Sequence, residues 1–154
     1  MISKKNCFNI HLTFGGEKVN SNIDYYINNG LKGYVCVVDI NVLTNTFKNE
    51  NYKKIVNNAS FNTCDGSALA FIKNLKSKNK DKLYSYNGPE IFENYICKTE
   101  IKQLLIGPNN QDFNLLKSII PISDHITNME LPFKPVNEFN YKLIADKINN
   151  IKPD

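Results

Sequence analysis

The chain has no arginine and no tryptophan; all 19 of its basic residues are lysine. Without a guanidinium fork, an anion has to be held by lysine point charges, backbone N–H groups or a helix N-terminus. Histidine is almost as scarce, and His11 and His125 stand alone. Cys7, Cys36, Cys64 and Cys97 lie far apart and form no Cys-x-x-Cys pair. That spacing argues against a zinc site or a disulfide framework and for free thiols in a reducing compartment, so no metal ligands are expected. No apolar run approaches the length of a membrane span, and the start, MISKKN, leads into no signal-like apolar stretch. A cytoplasmic chain, peripheral to membranes at most, is the expectation. The one dense basic run, Lys73 to Lys82, has no interleaved aromatics, which makes nucleic acid an unexpected partner. It reads either as a solvated helix end and loop or as a patch facing anionic lipid or phosphate.

What remains is an ordinary globular composition: 154 residues, 42% hydrophobic, net charge +4. One domain spanning 1–154 is expected. Strand and helix signals alternate. Phe8 to Phe14 reads as a strand ending at Gly15-Gly16, and Asn20 or Ser21 caps a short helix that stops at Gly30. Tyr34 to Val38 is a β-branched run of the kind covered on both faces. Val42 to Ala59 forms one helix or two, with Val42, Leu43, Phe47, Tyr52, Ile55 and Val56 as core candidates. Phe61 to Cys64 is a short strand, and Ala68, Ile72 and Leu75 share a helical face. Tyr84 to Asn87 is extended, and Pro89 opens a helix. Lys102 to Ile106 is a strand, Gln111 to Ile119 a helix, and His125 to Leu131 a strand. Val136 to Ile148 is an amphipathic helix with Phe139, Leu143, Ile144 and Ile148 inward. Residues 151–154 fall where another strand should begin. The pattern predicts an α/β fold with a mostly parallel sheet flanked by helices.

Chemistry concentrates where strands end. Asp65-Gly66 lies between a strand and a helix, a carboxylate beside a glycine that lets another backbone come close. Asp65 is either a general base or a cap for the helix near Ser67. Asp39-Ile-Asn41 follows the preceding strand in the same way. Asn41 suits a sugar or ribose hydroxyl, or the N-cap of the helix at Val42. Gly107-Pro-Asn109-Asn110 offers N–H groups to a phosphate or is an ordinary turn. Asn87-Gly88-Pro-Glu90 lines an acceptor or is a turn.

Five blocks in order resemble a known family: 33–43 (GYVCVVDINVL), 61–66 (FNTCDG), 87–92 (NGPEIF), 102–107 (KQLLIG) and 144–154 (IADKINNIKPD). Together they are similar to the WecG/TagA/CpsF glycosyltransferases over roughly 34–154. The resemblance implies a Rossmann-like fold and an inverting hexosyltransferase. Such an enzyme passes N-acetylmannosamine or a similar hexosamine from a UDP-sugar to a lipid-linked acceptor, in cell-wall, teichoic acid or capsular polysaccharide biosynthesis. No cofactor beyond the UDP-sugar substrate is implied. Asp65 matches the family's proposed base, and Asn41 its asparagine after the first core strand. Asp39, Gly66, Asn87, Gly88, Glu90, Gly107 and Asn109 complete the expected substrate-binding set.

Asp39 stands where the family usually has threonine, and Ser85 where it often has arginine. The family continues past the Lys-Pro-Asp step with a strand, a Gly-x-Pro-Lys-Gln-Glu motif and a basic membrane-binding tail. The resemblance therefore predicts a chain shortened at its carboxyl end, prone to self-association and placed at the inner face of the plasma membrane. The alternative is a nucleotide-binding remnant without catalysis of its own.

Overall fold

The computed structural model describes residues 5–76, 82–120 and 124–154; residues 77–81 of the lysine run and the start at 1–4 lie outside the described residues. The chain is mixed α/β with short sheets, three of two strands each among the described residues, and divides into two compact units, Met1–Phe92 and Glu93–Asp154.

In the first unit, β1 (Lys5–Cys7) and β2 (Ile10–Leu12) form an antiparallel hairpin with Cys7 opposite Ile10. Its two turn residues, Phe8 and Asn9, both have positive φ (57° and 65°), which suits the twist of a two-residue hairpin. Beyond β2, Thr13 runs parallel to Thr63, donating its N–H to the Asn62 carbonyl at 2.7 Å and accepting from the Cys64 N–H at 3.1 Å. Thr63 belongs to β4 (Phe61–Cys64), which also pairs in parallel with β3 (Val35–Val38). β4 is thus the middle of three parallel lines, and all four of its residues are buried.

Its side chains alternate between two cores. Phe61 meets Val19 of α1 (Gly16–Asn28) and Tyr86. Cys64 points the other way, joining Leu12 and Val38 with Leu43, Val56 and Leu69. The last three come from α2 (Ile40–Lys48), α3 (Glu50–Asn58) and α4 (Ser67–Lys76). Each such large side chain contributes about 1.5–3 kcal/mol when fully buried. The buried polar side chains of β4 all donate hydrogen bonds, while Asn62 Oδ1 accepts none among the described residues. The Asn62 amide donates to the carbonyls of His11 (2.9 Å) and Val56 (3.0 Å), and the Thr63 hydroxyl donates to that of Tyr86 (2.6 Å).

Two expectations need correcting. β3 is not covered on both faces, since Val38 is buried but Val35 and Val37 are exposed. The apolar cluster on the α2–α3 side reaches β3 through Val38 and Cys36 only. Phe47 and Ile55 are exposed as well, because α2 and α3 turn inward through Leu43, Thr46 and Val56.

The division between the units falls inside α5 (Gly88–Ile96). In the second unit, β5 (Gln103–Gly107) and β6 (Ile126–Glu130) pair in parallel, joined through α6 (Asn110–Ile119). Ile96, Ile120 and Ile126 form the core there, with Leu105, Phe113 and Leu116 against it. The helix expected from Val136 is split. A short 3-10 turn (Val136–Glu138) precedes α7 (Tyr141–Ile151), because Asn140 caps the latter through the Leu143 N–H at 3.0 Å. Leu143, expected inward, is exposed, and no residue of α7 is fully buried. After α7, Asp154 lies beside the start of β5, its N–H donating to the Lys102 carbonyl at 3.0 Å. Among the described residues, no helix is long and apolar enough to cross a membrane.

Candidate functional site

Val38 and Cys64 are register partners, so Asp39 and Asp65 leave neighbouring parallel strands at the same carboxyl-terminal edge. The Asp65 N–H donates to the Val38 carbonyl at 2.9 Å, which fixes that juxtaposition. The two carboxylates are used differently. Asp39 caps α2, one oxygen accepting from the Val42 N–H at 2.7 Å. Its other oxygen accepts from the Asn41 side-chain amide at 3.3 Å. Asn41, the sequence-level candidate for that cap, is instead an exposed residue steered by Asp39. Asp65 is half-buried, and among the described residues its carboxylate makes no hydrogen bond and no ion pair. It caps nothing. Gly66 follows with φ 88° and open space where a side chain would stand.

Beneath this rim, burial pushes the Cys64 thiol up to about 12, with Cys7 and Asp65 adding to the effect. Cys64 therefore stays protonated and unreactive at neutral pH.

The Tyr86 N–H donates to the Cys64 carbonyl at 2.8 Å and brings the next turn to the same edge. There Asn87 and Glu90 form a reciprocal capping box. The Glu90 N–H donates to Asn87 Oδ1 at 2.9 Å, and the Asn87 N–H donates to Glu90 Oε2 at 2.7 Å. Both side chains hold the start of α5. A methyl group at Gly88 would meet Val37 Cγ1 at 3.9 Å, so this turn lies over the exposed side of β3.

Gly107 and Asn109 belong to the second unit. Gly107 has φ 122°, and Asn109 caps α6 by accepting from the Asp112 N–H at 2.8 Å. The Asn109 amide donates to the Asp112 carboxylate at 2.8 Å, and the Asn110 amide donates to that of Glu130 at 2.9 Å. An incoming phosphate would meet two carboxylates here, which weakens the turn as an anion cradle. The structure thus gathers Asp39, Asn41, Asp65, Gly66, Asn87, Gly88 and Glu90 in one unit and leaves Gly107 and Asn109 in the other.

Gly15 was read from sequence only as a turn. The pairing of Thr13 with Thr63 sets Gly15 level with Asp65, two residues further along each line. Gly15 has φ 83° and starts α1 without a side-chain cap. A cavity of about 210 Å³ opens at that helix end, with Lys5, Lys18, Lys82 and the acidic Glu17 in its wall. The legible signal was Gly-Gly between a strand and a helix, but Lys5 and Lys82, distant in sequence, could not be placed around it. Among the described residues there is no group of three or more His, Cys, Asp or Glu side chains able to hold a metal ion.

Comparison with known proteins gives no family for this architecture. No protein-family model matches the chain, and no curated protein matches it.

Proposed function

We propose that the chain is a sugar-nucleotide-dependent glycosyltransferase of the WecG/TagA/CpsF kind, built on a Rossmann-like arrangement. In this reading it transfers a hexosamine such as N-acetylmannosamine from a UDP-sugar to a lipid-linked acceptor. The observation that carries the reading is the Asp65 carboxylate, without a hydrogen bond among the described residues, at the carboxyl edge of a parallel pair whose other strand leads into the Asp39–Asn41 hydrogen bond. Open α/β sheets place ligands at that edge.

Asp65 takes the proton of the acceptor hydroxyl as its oxygen attacks the anomeric carbon. The bond from that carbon to the diphosphate oxygen breaks, and its electron pair leaves with UDP. A positioned base of this kind is worth about 10²–10⁴-fold in rate. Asn41, oriented by Asp39, offers its amide to a sugar or ribose hydroxyl. Gly66 keeps the approach to Asp65 clear. With no arginine in the chain, lysine and backbone N–H groups fall to the leaving diphosphate, and Lys5 and Lys18 beside the start of α1, which has no side-chain cap, suit that task against the opposing charge of Glu17 in the same wall.

The test is release of UDP from UDP-N-acetylmannosamine in the presence of a polyprenyl-diphosphate-linked sugar. Wild-type turnover that falls by about 10²–10⁴-fold in Asp65→Asn, with UDP binding retained, is the expected result. UDP binding without wild-type turnover would identify a nucleotide-binding chain with no catalysis of its own.

A further inference from the structure

One helix in the first unit is apolar on the wrong side. α4 buries Leu69 and Ala70, yet on its opposite face Phe71 and Leu75, one turn apart, are 62% and 71% exposed. Tyr84, in the extended segment alongside, is 60% exposed. Between helix and segment runs a groove of about 260 Å³, walled by Ala70, Phe71, Leu83 and Tyr84. A helix bordering water ordinarily turns a polar face outward.

Charge is concentrated on the same segment. The described residues of this stretch, 67–76 and 82–88, contain three lysines, Lys73, Lys76 and Lys82, and no acid. Lys82 Nζ lies 5.6 Å above the Tyr84 ring, at the rim of the groove. Lys73 and Lys76 flank the helix on the hairpin side, Lys73 donating to the Asn6 carbonyl and Lys76 lying over the Phe8 ring.

We propose that the outer face of α4, with Tyr84 and Lys82, is the surface by which this chain lies on an anionic lipid bilayer. Aromatic and aliphatic side chains enter the boundary between headgroups and acyl chains, while lysines with apolar stems reach the phosphates. A second copy of the chain is the poorer partner, because two such faces would bring like charges together. The assignment does not depend on sugar transfer.

Cosedimentation of the full chain with vesicles tests it. Binding to phosphatidylglycerol-containing vesicles, absent with pure phosphatidylcholine and weakened by salt, is expected. The double variant Phe71→Asp/Leu75→Asp should lower that binding by at least about tenfold, with far-UV circular dichroism unchanged. Lys82→Glu should weaken it and flatten its salt dependence. Undiminished binding by the double variant would overturn the proposal, as would a wild-type chain that ignores anionic vesicles. A concentration-dependent dimer lost in the double variant, without vesicle binding, would give the surface to a second copy instead.

Discussion

At the residue scale, two aspartates at matching positions on adjacent strands do different work. Asp39 satisfies a backbone N–H at the start of α2, whereas Asp65 satisfies none among the described residues. Asp39→Ala should therefore cost about 1 kcal/mol of stability, the usual loss for an Asp N-cap. Asp65→Asn should leave the urea midpoint nearly unchanged. Equal losses at both sites would show that Asp65 also caps. The sequence placed both residues at strand ends, but it could not say which of them caps, since that depends on where each helix starts. Asp39 caps because α2 begins one residue later; Gly66 with its positive φ separates Asp65 from α4.

The buried thiols give a prediction in pH. Burial raises Cys7, Cys36 and Cys64 above the ordinary thiol value of 9.0, Cys64 to about 12. The folded chain holds these protons more tightly than the unfolded chain does. The contribution to stability is complete below about pH 9 and is lost as pH climbs toward 12. The stability difference between wild type and Cys64→Ala, measured by urea unfolding, should shrink between pH 8 and about 11. A constant difference would mean that the thiol is reached by solvent.

At the element scale, legibility followed the strength of local punctuation. β4 and β5 were readable because Asp65-Gly66 and Gly107 end them. The helix ending near Gly30 was readable too, and its closure is a Schellman motif: Gly30 N–H to Ile27 carbonyl (3.0 Å) and Leu31 N–H to Tyr26 carbonyl (2.9 Å). The hairpin of β1 and β2 was not, because its turn uses Phe8 and Asn9 rather than a glycine. α1 starts at Gly16, ahead of Asn20 and Ser21, either of which was expected to cap it, because Gly15 begins it by backbone conformation alone. Asn87, read as a turn or acceptor residue, belongs to a capping box that needs coordinates to see. Asn87→Ala should lower stability by about 1 kcal/mol. Glu90→Ala should do much the same, and the double variant should lose less than the sum because one reciprocal pair is broken once. Strict additivity in that cycle would refute the pairing.

At the scale of the whole molecule, the alternation of strand and helix is the same in both halves, so nothing in the pattern marks the division inside α5. The difference lies in burial. Ile10, Leu12, Val19, Val38, Phe61 and Leu69 in the first unit are each no more than 1% exposed, whereas among the described residues of the second the best-buried hydrophobic side chain, Ile126, is 4% exposed. Local opening is easiest where few apolar contacts must be given up. Backbone amides of β4 should therefore exchange with deuterium more slowly than those of β5, measured in the native chain at neutral pH. The paired amides of Gln103, Leu105 and Gly107 are the ones to compare with those of β4. The difference matters for the site, because the Asp39–Asp65 rim stands on the slowly opening ladder and the Gly107–Asn109 turn on the faster one. A ligand that engages the rim alone should protect β4 and leave β5 unchanged. Protection of both to the same degree would mean that the two units open together.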